Sequence, residues 1–115
     1  MNNLKERQKR YMQDALPVRL GGLAANLARI SSFVKNPDNK DAVKSLLEES
    51  KHFIEWTAAE FEPQTAAELI DIQRQVVKWN REIETIWNDP LRRDSIGNAA
   101  KEISDFLIAR SGLAN

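Results

Sequence analysis

The stretch from Leu16 to Val34, LPVRLGGLAANLARISSFV, restricts the possible folds more than any other part of the sequence. Leu16, Leu20, Leu23, Leu27, Ile30 and Val34 recur at intervals of 4, 3, 4, 3 and 4 residues. Such spacing lines one side of a helix with an unbroken apolar seam. The opposite side lacks the charges of an ordinary surface helix. At about 100° per residue, Val18, Gly21, Gly22, Ala25 and Ala28 fall on the flank and back. Only Arg19, Asn26 and Arg29 interrupt the apolar surround. A helix this poor in polar surface is expected to be covered on both sides, and glycine or alanine lets another backbone come close. The sequence therefore predicts a bundle against the seam and a further helix, from this chain or from a partner, against the back.

The other apolar patterns are also helical. Val43, Leu47, Ser50, Ile54, Thr57 and Phe61 form one seam, and Leu69, Ile72, Val76, Trp79, Ile83 and Ile86 another. Ile96, Ala99, Ala100, Ile103, Phe106 and Leu107 supply a third core face, with Gly97 and Ser104 as a small-residue strip beside it. Pro17 starts a second helix or kinks a continuous one, and a break near residues 14–17 is favoured because proline inside a helix costs about 3 kcal/mol. Asn36-Pro37 and Glu62-Pro63 read as helix ends, and Thr65-Ala66-Ala67-Glu68 as a capping box. Asp89-Pro90 reads as a cap with proline at the first helical position. Ser111-Gly112 closes the last helix.

Helices are thus expected to about residue 15, then over about 17–35, from about 37–41 to 61, over 65–88 and from about 90 or 95 to 110, with no competing β-alternation. Short links between helices of similar length favour antiparallel neighbours. The expected fold is all-α: an up-and-down four-helix bundle over 16–112 with an additional short N-terminal helix over 1–15, in one domain, 1–115.

The 115 residues contain 42% apolar and 30% charged side chains and no cysteine, which excludes disulfides, thiolate metal sites and cysteine nucleophiles. No uncharged apolar run is long enough to span a membrane, and the N-terminus lacks the apolar centre of a secretory signal, so a cytoplasmic location is expected. The zero net charge is unevenly spread. Residues 1–37 carry seven Lys/Arg against two Asp/Glu, residues 38–71 three against nine, and the remainder seven against six. A basic first third and an acidic middle attract each other within one chain or between protomers.

Candidate chemistry is sparse. His52, the only histidine, forms a Glu-x-x-His pair with Glu49, the spacing of di-iron carboxylate bundles. Those sites need two such pairs. Its phase on the seam points it towards water. In length and topology the chain is also similar to histidine phosphotransfer domains, but the lysine and glycine that follow the histidine in that family are here Glu55 and Trp56. A carboxylate repels phosphate and the indole blocks its approach. A phosphotransfer or metal module centred on His52 is therefore a third-ranked expectation. No catalytic set, cofactor motif or metal-ligand constellation is recognised.

The surplus is apolar. Trp56, Ile70 and Val77 lie off their seams and, with Val18, Gly21, Gly22 and Ala25, make up the expected interface. The leading expectation is a small non-enzymatic protein acting through helix–helix association, as a homodimer or with another helical protein. The alternative is a nucleic-acid or ribonucleoprotein accessory protein in which Lys5, Arg7, Lys9 and Arg10 follow a phosphate backbone.

Overall fold

A computed structural model describes residues 3–112. They form five helices and no strand: α1 (Asn3–Met12), α2 (Leu16–Phe33), α3 (Lys40–Thr57), α4 (Pro63–Ile86) and α5 (Pro90–Ser111). Short 3-10 turns at Pro37–Asn39 and Ala58–Glu60 join α2 to α3 and α3 to α4.

The expected breaks hold with two corrections. α3 stops at Thr57 and not at Phe61, because the chain tightens into the turn before Pro63. α4 starts two residues before the expected capping box. Its cap is Glu62, whose carboxylate accepts from Thr65 N at 3.3 Å and from the Thr65 hydroxyl, while Pro63 takes the first helical position. Asp89 caps α5 as expected, accepting from Leu91 N at 3.1 Å and Arg92 N at 3.4 Å. Gly112 ends α5 at φ 76, a left-handed conformation that glycine adopts without steric cost.

Long-range contacts give the register of each helix pair. Asn26 Nδ2 donates to Glu49 Oε1 at 3.0 Å, and Arg19 pairs with Glu60 at 2.6 Å, so α2 and α3 run antiparallel. Gln73 Nε2 donates to Lys51 O, and Lys40 and Lys44 grip Glu84 at 2.7 and 2.8 Å, so α3 and α4 do the same. Arg110 pairs with Glu68 at 2.6 Å near the far end of α4. The most extensive contact is between α2 and α5, while α4 and α5 touch only sparsely. The Cα envelope, 38 × 38 × 21 Å, is about two helix layers thick.

The seams of α2, α3 and α4 are buried as read from the sequence, apart from half-buried Leu16 and Phe61. The α5 face is rotated from the expected one. Arg93, Ile96, Gly97, Ala100, Ser104, Leu107 and Ser111 are buried, Ala99 and Ile103 are half-buried, and Phe106 stays 37% exposed. The small residues of α5 allow α2 to approach, and that approach outweighs burial of Phe106. A Cβ at Gly97 would lie 2.7 Å from Val34 Cγ2 and 3.3 Å from Ser31 O. Ser104 Oγ donates to Ala24 O at 2.8 Å across the same contact.

The glycines of α2 and α5 should therefore respond oppositely to alanine. Gly22→Ala gains helix propensity worth up to about 1 kcal/mol, and its Cβ meets only the edge of Tyr11 at 3.9 Å. Gly97→Ala should lower stability by about 1–2 kcal/mol despite the same gain, because helix packing must open. Urea unfolding of the two variants measures both signs.

Candidate association groove

The back of α2 is where the sequence demanded a cover, and α1 supplies part of it. Every α1 residue from Asn3 to Arg10 is exposed, and Tyr11 is the buried one. The Tyr11 ring stacks on Phe53 of α3, with centroids 4.0 Å apart and planes 9° from parallel. Its edge lies over Gly22. Trp56 adjoins both rings, at 5.9 Å from Tyr11 and 6.1 Å from Phe53.

Arg19 fastens this arrangement. Its Nε donates to Asp14 O and its Nη2 to Met12 O, both at 2.9 Å, while Nη1 meets Glu60. The orphan carbonyls at the end of a helix carry partial negative charge, so a buried guanidinium there is both hydrogen-bonded and electrostatically favoured. Tyr11 returns the link by donating its hydroxyl to Arg19 O at 3.0 Å. The Thr57 hydroxyl is buried beside the Tyr11 phenol. Burial pushes the Tyr11 phenol up to about 12, against the opposing influence of the Thr57 hydroxyl and the Arg19 charge. A second tie crosses from α1 to α2 through α3: Arg7 reaches Glu49 at 3.7 Å, Glu49 accepts from Asn26, and Asn26 Oδ1 accepts from Arg29 at 3.2 Å.

Beside α1 the back of α2 stays open. Val18, Gly21, Gly22 and Ala25 line a groove of about 600 Å³, bounded by Tyr11 and Asp14 on one side and Ile108 of α5 on the other. Val18 is 48% exposed, and Gly21, Gly22 and Ala25 are half-buried. Four of the seven residues expected at an interface thus share one surface. Trp56 borders it through the ring cluster. Ile70 and Val77 do not join it: they lie on α4, in the stripe whose Gln73 and Asn80 bond to α3.

Lys5, Arg7, Lys9 and Arg10 are all exposed on α1, interleaved with Glu6 and next to Glu49 and Asp14. His52 departs from its expected position in water. Its side chain is only 19% exposed, because the ring lies flat on Trp56 at 5.6 Å, between Glu55 at 3.3 Å and Glu48 at 3.4 Å. Sequence reading did not assign a role to Arg19 or Asn26. Their signal was present, as isolated polar residues on an otherwise apolar helix, but their partners are separated from them along the chain.

Fold and site together define an all-helical protein whose distinctive surface is a small-residue groove half-covered by its own first helix. No known protein family, curated protein or solved structure matches the chain.

Tyr11 is the only tyrosine, so phenolate absorbance reports the docking of α1 directly. A phenol pKa raised from 10 to about 12 in the docked state means that docking is fully favoured below about pH 10 and is lost as pH rises through about 12. In Arg19→Met the midpoint should fall towards about 10 as α1 comes free. Loss of the arginine charge alone, with α1 still seated, would move it upward.

Proposed function

We propose that this protein is a one-domain, cytoplasmic up-and-down four-helix bundle with an added N-terminal helix, and that it works by helix–helix association, most simply as a homodimer. The antiparallel registers of α2 with α3, α3 with α4 and α4 with α5 support the bundle description. Among the described residues no helix is long and apolar enough to cross a membrane.

The observation that carries the association reading is the half-open floor at Gly21, Gly22 and Ala25. Ordinary surface helices turn charged residues outward, whereas α2 turns glycine, alanine and Val18 into a groove of about 600 Å³ whose charged lining, Asp14, Arg29 and Glu49, stands around that floor. Small residues at such a floor permit close backbone approach, and the hydrophobic gain from covering Val18 and Ile108 favours a partner. The exposed cations of α1 support the alternative, a nucleic-acid accessory role; it predicts retention on RNA or DNA at about 50 mM salt that weakens as salt rises.

Sedimentation of the purified chain at tens of micromolar, an expected dimer range of about −6 to −8 kcal/mol, tests the association reading. The expected result is a dimer that Gly22→Leu converts to monomer while its unfolding transition stays near that of the parent. A monomeric parent, or a Gly22→Leu variant with undiminished association, would overturn the reading.

A further inference from the structure

We propose that the cleft between α4 and α5 binds a small organic oxyanion, a phosphate ester or a hydroxy acid, seated on the Trp79 indole N–H and held by Lys78 and Arg92. Close packing of α5 on α2 leaves α5 only sparsely in contact with α4. The cleft between them has a volume of about 270 Å³, near the lower end of the roughly 300–1,000 Å³ typical of ligand sites, so its occupant is small. Trp79 and Ile86 of α4 and Ile96 of α5, all buried, form the floor. The rim is polar, with Gln75, Lys78 and Glu82 on α4 and Arg92 and Ser95 on α5. No residue of this cleft belongs to the α2 groove, so the site stands or falls apart from the association reading.

Trp79 is what points to a ligand. It is only 6% exposed, yet among the described residues its indole N–H meets no acceptor. The nitrogen is not sealed from solvent, so the N–H opens onto the cleft. The comparably buried Trp87 shows the satisfied arrangement, donating to Pro37 O at 2.7 Å. A donor on a buried ring is costly to leave unpaired. The partner it requires is an acceptor inside the cleft.

The surrounding charges select the acceptor. Among the described residues neither Lys78 nor Arg92 has an ion-pair partner, although Glu82 stands one turn after Lys78. Two cations against one carboxylate leave the lining with a net charge of +1. Ammonium and guanidinium groups bind oxyanions through short, charge-assisted hydrogen bonds. Arg92 lies in the first turn of α5, where the helix end adds positive potential, but the Leu91 and Arg92 N–H groups are already taken by Asp89. Side chains and the indole therefore carry the site, not the helix terminus. Glu82 and the Gln75 amide oxygen remain as acceptors, which favours an oxyanion that also bears a hydroxyl over a bare ion.

The test is a titration of the full chain with inorganic phosphate, glycerol phosphate or malate at constant ionic strength, followed at the assigned indole N–H resonances of its three tryptophans. The expected result is saturable movement of the Trp79 signal by glycerol phosphate or malate, with a Kd of about 1 mM or tighter, while Trp56 and Trp87 hold still. The probe that saturates first assigns the ligand as phosphate ester or hydroxy acid. Lys78→Gln and Arg92→Gln, both at exposed positions, should each weaken binding about tenfold, as loss of one charge-assisted hydrogen bond does. Glu82→Gln should instead strengthen binding of inorganic phosphate, because a repulsive charge is removed. Indole signals that drift linearly and together, as they do with chloride, mean a cleft that takes up ions without a site, and overturn the proposal. Saturable Trp79 movement undiminished when Lys78→Gln and Arg92→Gln are combined overturns it as well.

Discussion

The distance between α2 and α5 is set by the missing side chain at Gly97. With Val34 Cγ2 and Ser31 O standing where a Cβ and its neighbours would need room, the two helices meet nearly backbone to backbone. Ala24, Ala100 and Ser104 continue that contact, and the Ser104 hydroxyl satisfies its own polarity on the Ala24 carbonyl. Close packing here draws α5 towards α2 and away from α4. Phe106 is consequently left at the surface, and α4 and α5 meet only sparsely.

Two buried arginines hold the ends of this arrangement, and both do so through helix C-termini. Arg93 donates to Val34 O at 3.1 Å and Trp87 O at 2.7 Å, closing α2 and α4 together, with its guanidinium over the Trp87 ring at 5.5 Å. Trp87 in turn donates its indole N–H to Pro37 O at 2.7 Å. At the other end Arg19 closes α1. Burying a guanidinium is tolerable because the unpaired carbonyls of a helix end present oriented negative charge that water no longer reaches. The difference between the ends lies in what is fastened. Arg93 joins helices already committed to the core, whereas Arg19 secures a short helix that is otherwise exposed.

Much of this was legible in the chain. The 4-and-3 spacing on α2, α3 and α4 identified the apolar stripe that each of these helices buries, but not Arg19, Ala24 and Asn26, which α2 buries beside its seam. Proline and asparagine punctuation located four of the breaks to within a few residues. The amphipathic reading of α5 identified Ile96, Ala100 and Leu107 as core but not the burial of Gly97 and Ser104, whose small size lets α2 come close and leaves Phe106 at the surface. His52 went astray for a related reason. Its helical phase is outward, but Trp56 one turn later gave the ring a flat surface to lie on. Val18, Gly21, Gly22 and Ala25 share one surface as their common helix implied, whereas Ile70 and Val77 sit on a different helix, whose rotation no local pattern specified.

The amino-acid sequence by itself determined the helical class, the number and approximate ends of the helices, and the presence of an α2 back poor in charged side chains. These follow from periodicity, caps and prolines, which act over a few residues. Only the tertiary structure decided that the tight glycine contact is Gly97 against Val34 and not the α2 pair, that Arg19 reaches back to clamp α1, and that α1 covers the α2 back incompletely. Those outcomes depend on interhelical distances and rotations, which arise from the competition of all the packed faces at once and are carried by no single stretch of the chain.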